Sequence, residues 1–200
     1  MGNIRAATTA EALNATGDWA FVDLGFAQSA KSCGLLIGDD APSELTFGQL
    51  TGELVELCRR PGPPLNLLLE APLSVAFGAN GNPTGRSIER RGKEHRYWYV
   101  GLGCSVLVAA TYALRAILEG GPLREVRLVE GLASFKPPGV ASSHVADVLA
   151  LRDLVRGKKP TKGRIVSPEE LAMSPNDVVT SAFKVSGMDL GVPPVVALGA

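Results

Sequence analysis

This chain has no excess of positive or negative charge: 20 Lys and Arg face 20 Asp and Glu, for a net charge of zero. A chain that held nucleic acid or a lipid surface through bulk charge would carry a basic excess, so any phosphate contact has to come from a local patch. Cysteine is scarce too. Cys33, Cys58 and Cys104 are odd in number, far apart and without a CxxC pair. That argues against a disulfide framework and a zinc site, and for buried thiols in a reduced, cytoplasmic compartment. Met1 to Gly17 is small and polar, without the apolar centre of a leader. One uncharged stretch, residues 97–114, has the length of a borderline membrane span. Gly101, Gly103, Ser105 and Thr111 interrupt it and Arg115 follows, so it is expected to be a helix buried on a sheet, with no membrane partner. The same face would serve a homodimer interface as readily as a core.

What is present suits one α/β domain. The 46% hydrophobic content is enough for a real core, and 23 glycines with 14 prolines imply many turns. Residues 19–23 read as a strand and 33–37 as its hairpin return, with a short extra strand near Thr46 and Phe47. Residues 45–59 carry Leu50, Leu54, Leu57 and Cys58 at helical spacing, stopped by Pro61-Gly62-Pro63-Pro64. The nearly continuous apolar run 65–69 is that of a strand covered on both faces. An irregular stretch, 71–96, precedes a helix over 97–119 and an alternating strand over 125–130. Ser142 or Ser143 caps a helix reaching about Val155. Beyond a basic linker, short helices are expected at Ser167–Glu170 and over 176–185, and an extended, poorly ordered tail from Gly187. The expected organisation is a flexible N-terminus (1–17), a main domain (18–156) and a C-terminal extension (157–200). The hairpin followed by strand–helix–strand units implies a mixed sheet, its first strands antiparallel and its later ones parallel, flanked by helices.

Two strands end alike: Phe21-Val22-Asp23 and Leu68-Leu69-Glu70 are apolar runs closed by one carboxylate. If they are parallel neighbours, Asp23 and Glu70 meet near their carboxyl ends. Two close carboxylates repel each other, and a hard cation such as Mg²⁺ or Mn²⁺ is the natural way to satisfy both. His144 and Asp147 stand three apart, on one face of the first turn of a helix.

The segments Phe21-Val22-Asp23-Leu24-Gly25, Leu68-Leu69-Glu70-Ala71-Pro72 and His144-Val145-Ala146-Asp147-Val148-Leu149-Ala150-Leu151 resemble the motifs of RuvC-like nucleases in the ribonuclease H-like superfamily. Glu70-Ala71-Pro72-Leu73-Ser74 also looks like uncharacterised members of that superfamily. The resemblance covers residues 19–155. It implies a ribonuclease H-like fold and metal-dependent hydrolysis of phosphodiester bonds. Asp23, Glu70 and Asp147 would hold Mg²⁺ or Mn²⁺, and His144 would join them as catalytic residue.

Residues 86–96 hold five basic groups, Arg86, Arg90, Arg91, Lys93 and Arg96, against Glu89 and Glu94, with Tyr97, Trp98 and Tyr99 next. Basic groups beside aromatics suit a nucleic-acid partner. Plainer readings stay open. Asp23 could only end its strand. Glu70 could pair with Arg86 or Arg90. Asp147 and His144 could be an ordinary helix start, and Glu130 could join the cluster. The domain could also be a catalytically inactive ribonuclease H-like module that binds a protein partner or a nucleotide.

Overall fold

Alternation along each buried strand decides which face a side chain takes, and the acidic residues inherit their faces from the apolar residues before them. The computed structural model describes residues 3–14, 16–28, 31–91, 93–95, 97, 102–133, 143–158 and 162–199, with backbone alone at 91, 94 and 95. In chain order the elements are β1 (Ile4–Ala6), α1 (Thr9–Asn14), β2 (Asp18–Asp23), β3 (Cys33–Ile37), β4 (Ser43–Leu45), α2 (Phe47–Arg59) and β5 (Leu65–Glu70). There follow β6 (Ser74–Phe77), β7 (Pro83–Thr84), β8 (Arg90–Arg91), β9 (Glu94–His95), α3 (Gly103–Glu119) and β10 (Val126–Leu132). The chain closes with α4 (His144–Val155), β11 (Gly163–Val166), β12 (Val178–Ser181) and β13 (Val195–Leu198).

The main sheet runs β4-β3-β2-β5-β10-β13-β11, with β1 beside the first half of β10. Pairing is antiparallel from β4 to β2, parallel from β2 through β5 and β10 to β13, and antiparallel again to β11. The expected α/β class with a mixed sheet and flanking helices is what the chain adopts. Ala20, Val22, Leu67, Leu69 and Leu128 pack with Leu50 and Leu54 of α2 and Leu114 and Ile117 of α3. Their neighbours in sequence, Phe21, Leu68 and Val129, turn the other way and pack on Val148, Leu151 and Val155 of α4. Thr46 closes a capping box with Gln49 and so starts α2, which places the short edge strand just before it rather than at 46–47.

Four expectations need correction. The stretch 71–96 is not an irregular loop: β6 pairs with β7 on one edge and with β12, a hundred residues on, along the other. Residues 176–185 are not an α-helix; Val178 and Val179 belong to β12, and a 3-10 turn follows at Ala182–Ser186. The tail carries the buried strand β13, which fills the half of the β10 edge that β1 leaves open. The N-terminus holds β1 and α1, tied down by side-chain ion pairs of Arg5 and Arg127 with Glu11 and of Arg5 with Glu125. Of the thiols, Cys33 and Cys58 are buried as expected, and Cys104 is exposed. Among the described residues no helix is long and apolar enough to cross a membrane.

The N-terminal tie sets a pH expectation. Arg5 hydrogen-bonds Glu11 through two nitrogens, at 2.6 and 2.9 Å, and reaches Glu125 at 2.8 Å. The Arg5 hydrogen bond holds the Glu11 carboxyl down at about 2, below its ordinary 4.5. A depressed carboxylate stabilises the fold above its unfolded pKa and loses that contribution as it is protonated. The stability advantage of wild type over Glu11→Gln should therefore be full above about pH 4.5 and vanish as pH falls to about 2. Urea denaturation at a series of pH values measures the gap; a constant gap would contradict the pairing.

Candidate functional site

β2 and β5 lie side by side and parallel, and Asp23 is the direct Cα partner of Glu70. Phe21 and Leu68, two residues earlier on each strand, face α4. Strand alternation therefore puts both carboxylates on the α4 face, at the carboxyl ends of two adjacent central strands. Gly131 of β10 stands opposite Glu70 on its other side, and its missing side chain lets Leu68 and Leu151 close over the strand there, 2.7 and 3.2 Å from where a Cβ would be. Glu70 Oε1 accepts the Ala133 amide at 3.2 Å, across the end of β10.

α4 supplies the remaining groups. Ser143 caps it by accepting the Ala146 amide at 3.1 Å. His144 then donates from Nδ1 to Asp23 Oδ2 at 2.9 Å. Asp147, one turn on, is only 7% exposed. The positive end of the helix dipole thus lies beside Asp23, where it favours negative charge. The approach is close because residue 34 of β3 is glycine: a Cβ there would stand 2.5 Å from the His144 carbonyl oxygen. Gly34→Ala forces the helix start away from the sheet. A loss of about 1–3 kcal/mol is expected from such overpacking, together with loss of the His144–Asp23 bond. Thermal denaturation and the His144 ring shifts in NMR would show both; an unshifted ring would refute the contact.

The structure thus brings Asp23, Glu70 and His144 to one corner and sets Asp147 on the adjoining helix turn. Three of the four are carboxylates and the fourth is an imidazole. Among the described residues, no group of three or more His, Cys, Asp or Glu side chains stands in an arrangement that could hold a metal ion.

The basic segment divides. Arg86 is 1% exposed, so it is not a phosphate contact. Its Nε and Nη2 donate to Glu89 Oε1 at 3.0 and 2.8 Å, and its Nη1 to Glu130 Oε2 at 2.8 Å and Ser74 Oγ at 2.7 Å. Nor does this arginine pair with Glu70. Arg90 and Lys93 are exposed, whereas Arg96 and the Arg91 side chain lie outside the described residues. The Tyr97 ring lies against Gly85, where a Cβ would come within 1.9 Å of it. Trp98 and Tyr99 also lie outside the described residues.

Glu130 does not join Asp23 and Glu70. It alternates with Gly131 and so points to the opposite face, into the buried cluster with Arg86 and Glu89. Burial pushes its carboxyl up from the ordinary value, against the pull of Arg86. Burial also works against the Arg86 charge, but the two carboxylates outweigh it and hold the guanidinium firmly protonated. Sequence reasoning missed this cluster. Its signals were the three-residue spacing of Arg86 and Glu89, and the shared parity of Glu130 with Val126 and Leu128. Comparison with family models, with curated proteins and with solved structures finds no match to this chain.

Proposed function

We propose that this chain is a divalent-metal-dependent nuclease with a ribonuclease H-like sheet, hydrolysing phosphodiester bonds of a nucleic acid. The observation that carries the reading is the direct pairing of Asp23 with Glu70 on the face that α4 covers with His144 and Asp147. The order of elements supports it. Counted from β2 among the strands of the main sheet, the Glu70 strand is the fourth, and α4, the last α-helix, follows the fifth, β10. The RuvC-like pattern that the sequence resembles has an Asp on its first strand, a Glu on its fourth and a D/HxxD pair on its last core helix, and this order agrees with it.

An oxygen-rich acidic donor set, two members of which are more than nine-tenths buried, fits a hard divalent ion better than a soft one. Asp23, Glu70 and Asp147 would hold Mg²⁺ or Mn²⁺ once their side chains turn toward one another, since among the described residues no three acids stand in a ligating arrangement. Such an ion supplies an activated water and neutralises charge building on the phosphoryl oxygens. His144 is oriented by its Nδ1–H bond to Asp23, which leaves Nε2 as the atom that takes or returns a proton. Arg90 and Lys93 are the exposed basic side chains described in the segment 86–96, and they would be its contacts to the nucleic-acid backbone.

A second reading, a non-hydrolytic module of the same fold, is favoured by the zero net charge and the loss of Arg86 from the phosphate-facing set. Cleavage assays on single- and double-stranded DNA and RNA separate the two. The nuclease reading expects products in Mg²⁺ or Mn²⁺, none in chelator, and their loss in Asp23→Asn and Glu70→Gln. Equal products from wild type and both variants would remove it, and no products from any would favour the module.

A further inference from the structure

We infer that Glu130, locked by Arg86, is a positioning residue for the Glu70 carboxylate. The ends of β5 and β10 are clasped reciprocally from opposite faces of the sheet. On the α4 face, Glu70 of β5 takes the Ala133 amide at the end of β10. On the other face, Glu130 of β10 takes the Leu73 amide, 2.9 Å away, just beyond the end of β5. The two glutamates sit one register step apart, Glu130 opposite Leu69 and Gly131 opposite Glu70. Between Glu70 and Leu73 the chain makes a tight turn, with the Ala71 amide on the Leu69 carbonyl at 2.9 Å. The Glu130 bond therefore fixes the segment from which Glu70 emerges.

Arg86 makes that bond rigid. Its Nη1 donates to Glu130 and to Ser74 Oγ, and Ser74 directly follows Leu73. Its other edge is spent on Glu89, whose Oε2 in turn accepts the Arg86 amide at 2.9 Å. Arg86, Glu89 and Glu130 are each 1% exposed, so no water competes for these bonds. A cluster of one cation and two acids is a costly way to hold a loop unless its geometry matters. Its placement directly behind Glu70 supplies the reason.

The role in ion binding rests on the proposed nuclease reading; the clasp itself does not. Two conservative variants of the full chain separate reach from charge. Glu130→Asp keeps the charge but withdraws the carboxylate from Leu73, whereas Glu130→Gln keeps the reach and loses the charge. Two readouts are taken: exchange of the Ala133 amide by NMR, referenced to Leu67 and Leu128 in the same sheet, and the Kd of Mn²⁺ by calorimetry. Losing one buried hydrogen bond should speed Ala133 exchange about tenfold in Glu130→Asp. Mn²⁺ should bind at least about tenfold more weakly, as when a group orienting a metal ligand is lost. Glu130→Gln should stay within about threefold of wild type in both readouts, since its amide oxygen still reaches Leu73. If Gln is the worse of the two, or Ala133 exchange is unchanged in both, Glu130 only balances charge and the inference falls. If the exchange order is as expected but wild type binds no Mn²⁺, the clasp stands and the nuclease reading falls.

Discussion

Arg86→Met should be the most destabilising single substitution considered for this chain. The methionine fills the space of the arginine stem but leaves Glu89 and Glu130 without their cation, in a place where each residue is 1% exposed. Removing one partner of a buried ion cluster costs about 3–5 kcal/mol, because the stranded charge must be neutralised or hydrated. Total stabilities run to about 5–15 kcal/mol, so the loss is a large share. For a chain of this size it corresponds to a fall of roughly 6–20 °C in Tm. A control removes the stranded charge as well. Arg86→Met combined with Glu89→Gln and Glu130→Gln should recover more than half of the loss, since neutral amides can still accept the Arg86-position and Leu73 amides. Urea denaturation followed by circular dichroism gives both numbers. A neutral single variant would mean that the cluster does not carry the charges assigned to it.

Asp23→Asn should have the largest effect on activity. Asparagine keeps the side-chain oxygen that accepts His144 Nδ1–H, so the corner keeps its shape. It removes a negative charge that would face a divalent ion. Metal stabilisation of transition-state charge is worth several kcal/mol, so cleavage should fall on the order of 10³-fold or more. Glu70→Gln should behave similarly, and His144→Ala should lose about 10²-fold, as for one proton-transfer group. The stability readout should move the other way. Without an ion, Asp23 and Glu70 are two carboxylates at directly paired positions of adjacent strands, and neighbouring like charges repel. Asp23→Asn should therefore keep or raise the metal-free Tm while losing activity. Loss of activity with a collapse in Tm would instead assign Asp23 a structural role.

The central strands and their carboxylates could be read from the sequence because local signals were sufficient. Phe21-Val22-Asp23 and Leu68-Leu69-Glu70 each break an apolar run with one charge, and Ser143 announces the start of α4 as a cap. Elements completed by distant partners could not. Ser74–Phe77 becomes a strand because Val178–Ser181 comes to lie beside it, and nothing in either segment names the other. Val195–Leu198 is four apolar residues near the end of the sequence; what makes it a buried strand is the open edge of β10. Arg86 misled for a related reason. It stands first among five basic groups in eleven residues, which locally describes a solvated loop. Its burial depends on Glu130, 44 residues on and on another strand. Alternation along β10 did carry the information that Glu130 and Glu70 face opposite ways, since Val126 and Leu128 share the parity of Glu130.

Whether three acids far apart in the chain serve one ion is most directly tested by soaking a crystal of the wild-type chain in Mn²⁺ and measuring anomalous scattering. A peak within ligating distance of the Asp23 and Glu70 carboxylates, with Asp147 beside it, is the expected result. Strong Mn²⁺ peaks elsewhere and none at that corner would contradict the assignment.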